Sequence, residues 1–311
     1  MIDTITNGGA RLSVSTIGAT LMEWDPGIGQ NVIAGYRDED ELIQRDGYRS
    51  AVLAPWVNRL ADAQWTDSDG NVHSVEEATG SAQGLHGLFT LHEFEVKRTG
   101  AALELRGFIP ASSAYPADVS VLVRYALGGD GVLQVNISAL NVSGPAAPIC
   151  VGWHPYFRVV NRENARVRVF GTQRVLMDFA LIPLPGAQAY QTIAFRSDAS
   201  DIGQIEWSTI NTDDDYTITG LHYNSLGVAK AQLDTGYGLV TMMATSNTPE
   251  QAAFHVYSGH MLARGSEESI ALEPLTAIGS SYNRSDVAPH IMLDKDGVRT
   301  LDLRIRYTAP E

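Results

Sequence analysis

The sequence predicts an all-β protein, a large antiparallel β-sandwich with few short helices. Three observations carry this. Short runs of alternating apolar and polar residues recur from end to end. Turns rich in glycine and aspartate separate them. No segment sustains the 3.6-residue apolar period of a helix over several turns.

The runs follow in order. The first is Arg11–Ile17, then Leu103–Ile109, Val119–Leu127 and Val132–Leu140. Ala165–Phe170, Tyr216–Thr219, Val228–Leu233, Leu239–Thr245, Ala253–Tyr257 and Thr300–Tyr307 come after. In Val119–Tyr125 the apolar residues take every second place, with Ser120 and Arg124 opposite; in Leu301–Tyr307 the alternation is complete. That period puts one face on a core and the other in water. Gly128-Gly129-Asp130-Gly131 reads as a hairpin turn, and Asp69-Gly70, Gly236-Tyr237-Gly238 and Lys295-Asp296-Gly297 repeat the device. Short helices are expected at Arg37–Arg45 and near Tyr282–Val287. No repeat, low-complexity tract or Pro/Gly-rich linker divides the chain, so residues 1–311 are expected to form a single domain.

Composition narrows the function. The chain is 44% hydrophobic, enough for a large core, and carries 22 basic against 36 acidic residues, a net charge of −14. That balance argues against nucleic acid or an anionic membrane as partner. The single cysteine, Cys150, excludes an internal disulfide and argues against a cysteine-based zinc site. The N-terminal residues lack a secretory pattern, and no apolar run reaches about 18 residues. A cytoplasmic location is expected. Phosphate-binding glycine loops, the G-x-S-x-G elbow and H-E-x-x-H are all absent. Asp67-Ser68-Asp69-Gly70-Asn71 begins like a calcium loop, but Ala78 stands where the closing glutamate belongs. It reads as a polar hairpin turn. Neither a cofactor nor a metal is expected.

Chemistry concentrates in a few segments. Cys150–Val159 holds His154 between Trp153 and Pro155 in an apolar, strand-like run. A histidine there exchanges a proton near neutral pH, or it only satisfies a core hydrogen bond. Ser269–Leu275 places Glu273 at the end of a run expected to be buried, where an unpaired carboxylate is costly. Pro155 and Pro274 hold the backbone of His154 and Glu273 extended. Gly84-Leu85-His86-Gly87-Leu88 flanks His86 with glycines, which suits a loop approaching a ligand. Asn58-Arg59 sits in Ala54–Trp65, where Arg59 could instead pair with Asp62. Asp213-Asp214-Asp215 is either a solvated turn or part of a site.

Together these segments resemble the aldose 1-epimerase (galactose mutarotase) family, in order, from about Pro55 to Asn283. Asn58-Arg59-Leu60, Leu85-His86-Gly87, His154-Pro155-Tyr156-Phe157, Asp213 with Tyr216, and Leu272-Glu273-Pro274 each have a counterpart. The resemblance implies a galactose mutarotase-like supersandwich and interconversion of α and β anomers of a free aldose. It implies Glu273 as general base and His154 as general acid, with Asn58, Arg59, His86 and Asp213 binding the sugar. The partner is then a small monosaccharide, and the chain a monomer or homodimer. Leu275 replaces a common glutamine, Leu60–Ala63 lacks a common glycine, and Leu88 replaces a second glycine; these departures bear on sugar identity. An epimerase for a phosphorylated or acidic sugar and a non-catalytic carbohydrate-binding protein are the alternatives.

The chemistry suits the residues. Ring opening removes a proton from the C1 hydroxyl and delivers one to the ring oxygen, and closure reverses both after rotation about C1–C2. Positioned acid–base groups contribute roughly 10²–10⁴-fold. The roles require ionised Glu273 and protonated His154, so the rate is expected to fall in acid and again in alkali.

Overall fold

The alternation along Val119–Leu127 and Thr300–Tyr307 places both runs near the middle of a nine-stranded antiparallel sheet. The computed structural model describes residues 1–193, 208–209 and 215–310. The sheet runs 208–209, 166–169, 229–234, 239–246, 298–308, 133–143, 118–127, 102–109 and 95–99. Val119, Val121, Val123 and Tyr125 bury their side chains, as do Leu301, Leu303 and Ile305 across the sheet. Gly128–Gly131 and Gly236–Gly238 close the expected hairpins, and Asp69-Gly70 joins two short paired strands. In that last turn Asp67 accepts hydrogen bonds from the backbone N–H of Asp69 and Asn71, which is turn chemistry.

A second antiparallel sheet of eight strands carries the segments rich in chemistry. Its order is 190–192, 171–175, 215–221, 253–257, 269–275, 152–153 and 52–53, with 156–158 also pairing to 269–275. Ser269–Leu275 is buried at all seven positions, so it lost the alternation that marks a half-solvated strand. One continuous apolar core joins the two sheets; Tyr125 of the first meets Trp153 of the second at 6.3 Å between ring centroids. A separate three-stranded sheet is formed by the first 25 residues.

Two expectations shift. Lys295–Gly297 is a turn, but it leads from a strand paired with 147–148 into one belonging to the nine-stranded sheet. The helix expected near Tyr282–Val287 is split into a 3₁₀ turn at Ser281–Asn283 and a short helix at Ala288–Ile291. The helix expected at Arg37–Arg45 is present at Glu39–Gln44, capped by Asp38.

Candidate active site

Three neighbouring strands build one side of a cleft of ≈ 260 Å³. Thr217 pairs with His255, and His255 pairs with Glu273, so the three lie in a row across one face of the sheet. Asp215 heads the first of these strands, on the same face as Thr217. His154 enters from the turn between 152–153 and 156–158. Its backbone N–H donates to Ala51 O and its carbonyl accepts from Ser50 N, which ties the turn to the segment beside it.

The opposite wall is loop. Asn58 and His86 both have left-handed backbones, at φ 54° and 64°. They are joined by a bond from His86 N–H to Asn58 O. Gly87 follows at φ 79°, and a Cβ there would collide with the Ala54 carbonyl. The glycine therefore lets the loop close on Ala54. Trp56 supports it from beneath by donating its indole N–H to Gly84 O. Arg59 donates to Gln83 and to Asn58 Oδ1; its partner is not Asp62.

Of the residues singled out from sequence, Asn58, Arg59, His86, His154 and Glu273 line this one cleft. Asp213 lies outside the described residues, as does Asp214. Asp215, a member of the same acidic run, lines the cleft, and so do His255, Tyr48 and Tyr257. Tyr156 stacks on His154 at 5.1 Å and 14°, whereas Phe157 belongs to the core. Sequence reasoning missed His255, yet a signal existed: it is the lone imidazole in the otherwise apolar and aromatic run Ala253–Tyr257.

The electrostatics differ from expectation in one respect. Glu273 Oε1 lies 3.3 Å from His154 Nε2, with side chains 1% and 5% exposed. Burial pushes Glu273 up to about 7, against the lowering pull of His255 and Arg59. Burial, helped by the His255 charge, drives His154 down to about 3. Burial also holds His86 well below its ordinary value. His255 moves the other way. Burial alone would lower it, but Asp215 and Glu273 raise it. Burial thus favours the neutral form of His154, the histidine expected to carry the charge, whereas the two carboxylates favour the cation of His255, 2.6 Å from Asp215 Oδ1. His86 Nδ1, His154 Nδ1 and Glu273 Oε2 are buried without a partner among the described residues. These buried polar atoms leave hydrogen-bonding capacity open to the cleft. No cluster among the described residues is arranged to hold a metal, and no helix among them is long and apolar enough to cross a membrane.

Comparison with known proteins bears on the family and the fold. A family model for aldose 1-epimerase matches residues 2–305. The uncharacterized protein YihR of Escherichia coli K12 is 24% identical over 281 residues, covering 89% of this chain and 84% of that protein. Among solved structures, the GalM/aldose epimerase homologue of C. elegans superposes with a TM-score of 0.78 at 16% identity, covering 100% and 99% of the two chains. A galactose 1-epimerase from Lactobacillus acidophilus superposes at 0.71 with 16% identity, covering 99% of each. Likeness at that identity shows the fold.

Proposed function

The chain belongs to the aldose 1-epimerase family, and from that premise we propose that it interconverts the α and β anomers of a free, uncharged aldose. One observation carries the reading: Glu273 and His154 sit 3.3 Å apart on the floor of a cleft rimmed by Asn58, Arg59 and His86. Ionised Glu273 takes the proton of the C1 hydroxyl. His154 donates to the ring oxygen as the bond to C1 opens. A neutral imidazole is a competent donor to an oxygen gaining charge. The proton taken by Glu273 passes back to His154 across their contact, which restores the starting carboxylate and neutral imidazole. Rotation about C1–C2 and closure by the reverse steps give the other anomer.

Arg59, Asn58 and His86 orient the hydroxyls, which adds to the modest contribution of the acid–base pair. Among the described lining residues, Arg59 and His255 balance Asp215 and Glu273 in charge. That balance favours an uncharged sugar over a phosphorylated or acidic one. A module that only binds sugar has no need for a buried carboxylate pushed to about 7. The test is polarimetry of freshly dissolved α-D-glucose, α-D-galactose and a panel of other aldoses. Accelerated decay of rotation is expected for at least one. No acceleration with any of them overturns the proposal.

A further inference from the structure

His255 is buried at 3% exposure and is held from two sides. Its Nδ1 lies 2.7 Å from the Thr217 hydroxyl, and its Nε2 lies 2.6 Å from Asp215 Oδ1 and 3.9 Å from Glu273 Oε1. The contact with a carboxylate requires a proton on Nε2. The strand register fixes both flanks, because Thr217, His255 and Glu273 occupy one row across three paired strands. The ring therefore has little freedom to leave Glu273. We propose that His255 is a positioning residue for this site: clamped by Asp215 and Thr217, it presents a fixed cation to Glu273 and keeps that carboxylate ionised as the base. The proposal rests on the aldose-epimerase reading only for the identity of the base.

The charges facing His255 come from every wall of the cleft. Asp215 and Glu273 face it from the adjoining strands and favour its cation, while Arg59 opposes it. His154 and His86 also feel it, and its charge helps hold both in the neutral form. One group thus favours both states that the chemistry needs, an anionic Glu273 and, alongside the burial that chiefly lowers it, a neutral His154. Without His255, burial and the Asp215 charge would act on Glu273 with only Arg59 against them.

The experiment reads Glu273 directly. Protein labelled with ¹³C at the glutamate carboxyl is titrated by NMR, with the Glu273 signal identified by its loss in Glu273→Gln. The midpoint in the unaltered protein is expected at about 7. In His255→Gln it rises by one pH unit or more. His255→Asn also removes the cation and leaves Asp215 in place, so it moves the midpoint in the same direction. It serves as the second variant should His255→Gln fail to fold. If the midpoint in either folded variant stays within about 0.3 units of the starting value, the proposal is overturned. In parallel, kcat/KM for the best aldose is followed against pH. The variants are expected to lose at least tenfold at pH 6 and to recover above pH 9, where Glu273 ionises unaided. An equal loss at every pH indicates a packing role and overturns it too. Should the protein act on no aldose, the NMR titration still decides the role of His255.

Discussion

Glu273 Oε1 and His154 Nε2 are 3.3 Å apart in a place almost closed to solvent, yet their proton affinities are inverted from those of a simple ion pair. Burial lifts the carboxylate to about 7 and drops the imidazole to about 3. The base, not the acid, then sets the pH dependence. We expect kcat/KM to rise tenfold per unit below about pH 7 and to level off above it. His154 titrates too low to cause an alkaline fall. A bell-shaped profile whose alkaline limb vanishes in His154→Gln would return the imidazolium role to His154.

Replacing Glu273 separates catalysis from stability. Glu273→Gln removes the base and is expected to lower kcat by 10²–10⁴-fold, roughly the scale of positioned proton transfer. Stability moves the other way. A carboxyl raised by burial binds its proton more tightly folded than unfolded, so its cost appears as pH climbs from about 4.5 to about 7 and is complete above that. The variant is therefore expected to be more stable than the parent at pH 8, by up to about 3 kcal/mol, and nearly equal at pH 4. Urea unfolding at both pH values checks the sign. A loss of stability at pH 8 contradicts the account.

Arg59 is tested through binding. Its guanidinium is anchored by Gln83 and Asn58 and is only partly buried. A hydrogen bond from a charged donor contributes about 1.5–3 kcal/mol, so Arg59→Ala should raise KM roughly ten- to hundredfold. The stability cost should be small, because no buried partner is left orphaned. Saturation curves with the best aldose distinguish this from a kcat effect, which would move Arg59 into the proton chemistry.

Tyr156 stacks on His154, and the Arg49 guanidinium lies over its ring, 5.4 Å from the centroid. Its buried hydroxyl has no partner among the described residues. Deleting an unpaired buried hydroxyl removes a desolvation cost, so Tyr156→Phe is expected to keep or raise the melting temperature. Tyr156→Ala also removes the ring and should cost about 3–5 kcal/mol. Thermal melts of the two variants decide the point; a lower melting temperature for Tyr156→Phe would show that the hydroxyl is bonded.

Much of this was legible in the sequence, and the limits have physical causes. Period 2 exposed Val119–Leu127 and Thr300–Tyr307 because each has one wet face. Glu273 stood out because a carboxylate in a fully buried run is costly. The same reasoning applies to His255, but a strand so short reads as core. Its importance comes from register, which no local pattern encodes. Asp215 was hidden in an acidic run that reads as a solvated turn; pairing to Tyr257 turns it toward His255. The Lys295–Gly297 turn showed that the chain reverses, but not which sheet it would join.

Gly87 tests whether the loop that carries His86 is as tightly built as it looks. At φ 79° an L side chain is strained by about 1–2 kcal/mol. The Cβ of Gly87→Ala would also meet the Ala54 carbonyl. That oxygen cannot simply yield, because it accepts the Leu88 N–H at 2.7 Å. Strain and collision together should cost more than about 2 kcal/mol. The loop can escape only by lifting off Ala54, which carries His86 away from His154, now 5.1 Å ring to ring. Activity should therefore fall together with stability, with KM rising before kcat drops. Urea unfolding and saturation kinetics on the same preparation check both halves. A cost below about 0.5 kcal/mol, with KM unchanged, would mean that the contact between Gly87 and Ala54 does not position His86.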